Sequence, residues 1–141
     1  MIIVDTSGLL SALDGSQARH SASAAALRAS GAPRLLSPFV LAELDYLLST
    51  RVSAQVARAF LDEVAGGAYQ LEPFSADDIA SALAVLERYS SLDLGLADAS
   101  LLVLADRHDA TDILTLDERH FRALSGPRGK PFRLLPADAA A

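Results

Sequence analysis

From its first residues the chain alternates short apolar runs with longer amphipathic stretches. Ile2-Ile3-Val4 is a run of three apolar residues closed by Asp5, the pattern of a short strand buried on both sides. A helix is expected from there through Leu13. Residues 16 to 30 are alanine-rich and stop at Gly31 and Pro33, which predicts a second helix. Leu35-Leu36 reads as a brief strand. Ser37-Pro38 opens a helix, since serine caps the free amides and proline suits the first turn. A fourth helix is expected from Ser53 to about Ala65, ended by Gly66-Gly67, and Tyr69-Gln70-Leu71-Glu72 reads as a third strand. Ser75 with Asp78 three positions on starts a helix reaching about Tyr89. Another helix spans about Leu96 to His108. Asp112-Ile113-Leu114-Thr115 and Phe132-Arg133-Leu134-Leu135 complete the strands. Such alternation predicts an α/β fold, with a central, mostly parallel sheet of about five strands covered by helices on both faces. There is no linker and no internal repeat, so residues 1–141 form one domain.

Against this apolar background four acids are out of place. Asp5 ends the first strand. Glu43 lies inside Phe39-Val40-Leu41-Ala42-Glu43-Leu44-Asp45-Tyr46-Leu47-Leu48, and Asp98 inside Leu94-Gly95-Leu96-Ala97-Asp98-Ala99-Ser100-Leu101-Leu102. Asp117 follows Ile113-Leu114-Thr115-Leu116. On a helix, residues three and four apart share a face. The neighbours of Glu43 so defined are Phe39, Val40, Tyr46 and Leu47, which places Glu43 inward and Asp45 outward. Those of Asp98 are Leu94, Gly95, Leu101 and Leu102, which places Asp98 inward as well. A buried ionised carboxylate is costly without a counter-charge or a metal. Four of them on hydrophobic elements point to one shared cation site. Helix capping is the plainer reading for Asp5 and Asp117 taken singly; Glu43 and Asp98 have no such local explanation in the sequence. In open parallel sheets, sites lie beyond the carboxyl ends of strands. Asp5 and Asp117 fall just there, and Glu43 and Asp98 near the starts of helices that face the same edge.

Composition narrows the chemistry further. The chain has 141 residues, 51% of them hydrophobic, enough for a sizeable core and unlike a disordered segment. It has no cysteine, which excludes disulfides and thiolate zinc sites. His20, His108 and His120 show no metal-ligand spacing and read as surface or packing residues. No signal peptide and no membrane-spanning run is seen, so a cytoplasmic protein without membrane contact is expected. The net charge of −6 argues against a nucleic-acid partner. Two points offset it: the four site acids would be neutralised by metal, and Arg119, Arg122, Arg128, Lys130 and Arg133 crowd the C-terminal segment, where they could contact phosphates or simply form a solvated face.

Taken together, Ile3-Val4-Asp5-Thr6-Ser7, Pro38-Phe39-Val40-Leu41-Ala42-Glu43-Leu44, Gly95-Leu96-Ala97-Asp98-Ala99 and Ile113-Leu114-Thr115-Leu116-Asp117-Glu118-Arg119-His120-Phe121 resemble the PIN-domain family. More narrowly they resemble the VapC toxins of bacterial type II toxin–antitoxin modules. The resemblance covers nearly the whole chain and keeps the order of the motifs. It implies a magnesium- or manganese-dependent endoribonuclease, usually a homodimer, that cuts structured RNA of the translation machinery (tRNA or ribosomal RNA) and is neutralised by a VapB antitoxin. Carried onto this sequence, Asp5, Glu43, Asp98 and Asp117 become the acidic site, with Asp5, Asp98 and Asp117 as metal ligands. Thr6, Ser7 and Thr115 become hydroxyls that support the acids or orient water. Asp93 is a candidate extra acid or, alternatively, a cap for the following helix. Arg119, Arg122, Arg128 and Lys130 become candidate RNA contacts.

Other α/β readings fit less well. A phosphoacceptor receiver would need adjacent acids after the first strand, where Thr6-Ser7 stands, and an Asp phosphatase would need an acid at Ser7. The non-enzymatic alternative is a metal-binding PIN scaffold that acts only through protein partners.

Overall fold

A computed structural model of the chain describes residues 1–140. Five short strands, β1 (Ile2–Val4), β2 (Arg34–Leu36), β3 (Gln70–Leu71), β4 (Asp112–Leu114) and β5 (Arg133–Leu135), form one sheet in the order β3-β2-β1-β4-β5. Every pairing is parallel; Ile3 lies opposite both Leu35 and Ile113, and Leu114 opposite Leu135. Successive residues of a strand face opposite sides of the sheet. Ile2, Ile3 and Val4 are all 0% exposed, so helices cover both faces of the centre.

Seven helices supply that cover: α1 (Thr6–Leu13), α2 (His20–Ala29), α3 (Pro38–Arg51), α4 (Ala54–Ala65), α5 (Ala76–Arg88), α6 (Leu96–His108) and α7 (Glu118–Ala123). Their starts follow the local chemistry read above. The Ser37 hydroxyl accepts the Phe39 amide ahead of Pro38, and Ser53 accepts that of Val56. Ser75 and Asp78 form a reciprocal capping box at α5.

Of the boundaries that differ from the sequence reading, three have a visible local cause; the others shift by one residue, β2 starting at Arg34 and β5 at Arg133. The second helix starts at His20 rather than near residue 16, because the Asp14 carboxylate gathers the Ser16 amide, the Ser16 hydroxyl and the Gln17 amide group into a turn. Strand β3 keeps two residues of the expected four. It is an edge strand, and its ends are drawn elsewhere: the Tyr69 ring packs edge-on against Phe60 at 5.5 Å, and Glu72 turns toward Arg107 and His108. Thr115 falls just outside β4. Its amide still bonds the Leu135 carbonyl at 2.9 Å, while its hydroxyl turns toward Asp5.

The topology fixes where a site can form. From β1 the chain moves outward through β2 and β3, then returns to place β4 on the other side of β1. The reversal leaves a crevice between β1 and β4 at their carboxyl ends, the position where open parallel sheets bind ligands. Asp5 and Thr115 are the first residues beyond those two ends. Gly8 keeps the crevice narrow at its base: a Cβ there would stand 2.3 Å from the Leu114 carbonyl oxygen, so only glycine lets α1 start this close to β4.

Candidate active site

A cleft of about 280 Å³ opens at this switch point, lined by Asp5, Thr6, Ser7, Leu10, Glu43, Leu47, Arg51, Asp98 and Asp117. Larger depressions exist, such as one of about 490 Å³ beside Pro33, Arg34 and Tyr69. The smaller cleft is distinguished by its chemistry: four carboxylates reach it from the end of β1, from α3, from α6 and from the start of α7.

Asp5 sits deepest, 6% exposed, at the N-cap position of α1. Its carboxylate does not cap the helix. Oδ2 instead accepts the Thr115 hydroxyl at 2.7 Å and the Ser7 hydroxyl at 3.1 Å. Each of these hydroxyls also accepts a backbone amide, Thr115 from Asp117 at 2.9 Å and Ser7 from Leu116 at 3.0 Å. Both protons are thereby directed at Asp5 Oδ2, and Oδ1 is left without a side-chain partner. Burial raises the Asp5 carboxyl from 3.8 to about 6; the Thr115 bond opposes the rise and the nearby Asp98 charge adds to it.

Asp98 is partly buried at the third position of α6, where Oδ2 accepts the Gly95 amide at 3.1 Å. The sequence offered no local role for this residue; the structure gives it one, closing the first turn of a helix whose capping glycine has no side chain to do so. Burial is again the main influence and raises its carboxyl, with Asp117 and Glu43 adding to the rise and the Gly95 amide and His120 opposing it. Asp117 does cap its helix, accepting the His120 amide at 3.1 Å, and its second oxygen meets His120 Nδ1 at 2.8 Å.

Glu43 corrects the sequence reading. It is exposed at the mouth of the cleft, and Asp45, expected outward, is partly buried. Helix α3 packs on the core through Val40, Leu44 and Leu48, each 0% exposed. Glu43 heads the adjacent stripe, Glu43-Leu47-Arg51, at four-residue spacing, and that stripe faces the cleft. Apolar neighbours misled the reading because one of them, Tyr46, is 66% exposed.

Other candidates fall elsewhere. Asp93 is exposed, does not line the cleft, and cedes the cap of α6 to Gly95. The C-terminal basic residues do not form one free patch. Arg122 is held by Glu118 and Asp138, Arg128 and Lys130 by Asp109, and Arg133 by Asp112. Asp109 and Asp112 lie before or at the start of β4, on the edge opposite the cleft, so of the five only Arg119 and Arg122, on α7, stay near the acids. Two site residues escaped the sequence reading. His120 was taken for a surface or packing residue; its three-residue spacing from a capping Asp was the available signal. Arg51 gave no sequence signal beyond its four-residue step from Leu47.

The donor set suits a hard divalent cation. All four acids offer oxygen, which magnesium and manganese prefer. Asp5 has no cationic neighbour acting on it and Asp98 has only His120, and Thr6 Oγ1 is the one buried side-chain polar atom without a partner among the described residues. The carboxylates converge without closing: among the described residues no three His, Asp or Glu side chains are gathered tightly enough to hold a metal as they stand.

Residues 2–127 match the PIN-domain family model. The chain is 42% identical over 135 residues to Ribonuclease VapC26 of Mycobacterium tuberculosis, spanning 96% of this chain and 100% of that protein. Among solved structures, the fold resembles Mycobacterium tuberculosis VapC20, a Sarcin-Ricin loop cleaving toxin, with a TM-score of 0.79 and 22% identity over 84% of this chain and 92% of that one. It also resembles VapBC2 of Rickettsia felis bound to a promoter DNA fragment, with a TM-score of 0.66 and 20% identity over 95% of this chain and 98% of that one. The motifs around the four acids, the parallel sheet with its switch-point cleft and the near full-length similarity agree: the chain belongs to the PIN-domain family and is of the VapC type.

Proposed function

We propose that this protein is a magnesium- or manganese-dependent endoribonuclease that cuts structured RNA of the translation machinery, tRNA or ribosomal RNA, and leaves 5′-phosphate and 3′-hydroxyl ends. The observation that carries the reading is the convergence of Asp5, Glu43, Asp98 and Asp117 on one switch-point cleft, with Asp5 buried and its carboxyl raised to about 6. A similar relative named as a ribonuclease supports it.

Asp5, Asp98 and Asp117 would hold the cation. When bound, it offsets charge on the scissile phosphate and makes water a stronger acid. The protein's own part is orientation and proton handling. Ser7 and Thr115 fix Asp5 through Oδ2, and His120 fixes Asp117. Glu43, exposed and without a hydrogen-bond partner among the described residues, is free to orient the attacking water or to share a second cation. Thr6 offers a hydroxyl to the same water. Chemistry that uses the RNA 2′-hydroxyl as nucleophile calls for an acid and a base; His120, already paired with Asp117, is the one imidazole near the cleft, since His20 bonds the Ser11 carbonyl and His108 pairs with Glu72.

We also infer a VapB-type antitoxin as partner, a homodimer as the working form and the cytoplasm as the place of action. The antitoxin would fill the cleft with an Arg or Lys that pairs with the carboxylates. Of the apolar residues available to anchor it, Tyr46 is exposed and Leu47 lines the cleft. Phe39 is engaged edge-on with Phe74 at 5.0 Å and Leu48 is core. Among the described residues no helix is long and apolar enough to cross a membrane.

A labelled stem–loop RNA incubated with manganese, and in parallel with EDTA, tests the activity. Cleavage with metal, none with chelator, and loss of cleavage in Asp98→Asn are expected. Equal cleavage in EDTA would refute metal dependence, and no cleavage of any translation RNA would leave the partner-acting scaffold as the better account.

A further inference from the structure

Once the four acids are assigned, one charged residue of the cleft remains unexplained: Arg51. It is exposed in the last turn of α3. A basic residue there complements the helix dipole, and on an ordinary surface that would suffice. Here the surroundings are unusual. Arg51 shares a cleft with four carboxylates, yet among the described residues it forms no ion pair. Elsewhere Arg107, Arg122, Arg128, Lys130 and Arg133 are each held by a carboxylate.

The stripe Glu43-Leu47-Arg51 explains the separation. The two charged residues are eight positions apart, which is about 12 Å along the helix at the usual rise. Leu47 lies between them. Arg51 thus lies on the same face of α3 as Glu43, two turns further along, and both line the cleft.

A nucleic-acid strand entering this cleft presents a row of phosphates. The carboxylate end repels every phosphate that a cation does not neutralise, so the neighbours of the scissile phosphate need a positive partner at the other end. We propose that Arg51 is the backbone anchor of the cleft, binding an RNA phosphate that flanks the scissile one. A planar guanidinium with five donors suits two phosphate oxygens at once, a geometry lysine does not reproduce. Phosphate contacts set register rather than read sequence, so Arg51 positions the strand over the acids. The proposal rests on the nuclease reading and adds the contact that places substrate.

The test separates binding from cutting. RNA binding is read by fluorescence anisotropy of a labelled stem–loop in the wild-type chain, Arg51→Ala, Arg51→Lys and, as a control on α4 outside the cleft, Arg58→Ala. Cleavage by the same proteins is followed with saturating manganese. Arg51→Ala should weaken binding and raise KM about tenfold with kcat within about twofold, and should lower the slope of log K against log salt by about one. Arg51→Lys should fall between, and Arg58→Ala should match wild type. A series of RNAs, each with one phosphate replaced by a neutral methylphosphonate, gives the readout a structural role would not move. The effect of Arg51→Ala should vanish at one flanking phosphate and persist at the others. An Arg51 effect indifferent to every phosphate, or a fall in kcat with binding unchanged, overturns the proposal. Wild-type protein that binds RNA through Arg51 but cuts none sinks the nuclease reading and leaves the anchor standing; protein that binds no RNA at low salt removes both. If Arg51→Ala binds RNA normally but releases a protein inhibitor, the residue belongs to that interface.

Discussion

Replacing Asp5 by Asn should abolish activity and, in the absence of metal, stabilise the protein near neutral pH. Burial lifts the Asp5 carboxyl from 3.8 to about 6. The folded state therefore holds a proton that the unfolded chain has lost between those values, so stability falls as pH rises through the interval. A difference of about two units corresponds to about 3 kcal/mol, fully lost by about pH 7.5. Asn removes the charge and keeps an oxygen for the Ser7 and Thr115 hydroxyls, which now make neutral rather than charge-assisted bonds, a loss of about 1–2 kcal/mol. The net gain at about pH 7.5 is about 1–2 kcal/mol, or roughly 3–6 °C in Tm for a domain of this size.

Thermal melts of both proteins in EDTA, at about pH 7.5 and about pH 4, check this. At the acid end wild-type Asp5 is largely protonated, and the advantage of Asn should disappear or reverse. Manganese should raise the wild-type Tm at the higher pH, because a ligand of the native state alone stabilises it by mass action, and should do little for Asp5→Asn. An Asn variant that melts at or below wild type in EDTA near neutral pH would refute the claim that Asp5 carries an uncompensated charge.

Three further predictions concern the same framework. Thr115→Val removes the donor to Asp5 and the acceptor of the Asp117 amide, and should destabilise the protein by about 2 kcal/mol, more near neutral pH than at about pH 4, where Asp5 is uncharged; an equal cost at both would mean the Asp5 bond is not charge-assisted. A single 2′-deoxy nucleotide at the cut position should leave cleavage possible, with a 5′-phosphate at the new end, while a 2′,3′-cyclic phosphate product would exclude attack by water. The third lies outside the cleft. Burial acts to raise the Glu72 carboxyl, but the Gln70 amide, His108 and Arg107 together hold it below its ordinary value. That contribution is present above the unfolded value of 4.5 and is lost as pH falls through the lower folded value. Arg107→Ala should therefore cost about 1–2 kcal/mol near neutral pH, discounted for the partial exposure of Arg107, and less at about pH 3; a pH-independent cost would assign the effect to packing instead.

The parts of this protein that sequence exposes well are those set by local chemistry. Ser37-Pro38 and Ser75 with Asp78 start helices where side chains satisfy free amides, and Ile2-Ile3-Val4 is apolar throughout because both faces of the central strand are covered. The four acids were legible because carboxylates on apolar elements need a reason. Their orientations were less so. A neighbour count around Glu43 treats every apolar residue as core, but only the tertiary packing of α3 decides that Val40, Leu44 and Leu48 face inward and Tyr46 does not. Pairing is also invisible in one dimension. The basic C-terminal segment looked like a free cluster, yet its partners Asp109 and Asp112 are brought to it by the return of the chain into β4 and β5. His120 was hidden for the converse reason: its pairing with Asp117 is local, but only the fold turns both toward Asp98.

The site and its cost have one origin. Asp5 is raised because it ends a strand whose three preceding residues are fully buried at the centre of the sheet. Placing that carboxylate at a surface would remove the penalty, and with it the reason for a cation to bind there. The surrounding groups hold the charge without neutralising it. Two hydroxyls converge on Oδ2 and none on Oδ1, and the charge that acts on Asp5 is that of another acid, Asp98. A basic side chain reaching Asp5 would pair with the charge, yet it would fill the cleft with the counter-ion that a metal or an inhibitor supplies. The protein keeps its cation, Arg51, about 12 Å along α3 from Glu43 at the helical rise. Paired with no acid among the described residues, it is left available to the substrate the acids act on.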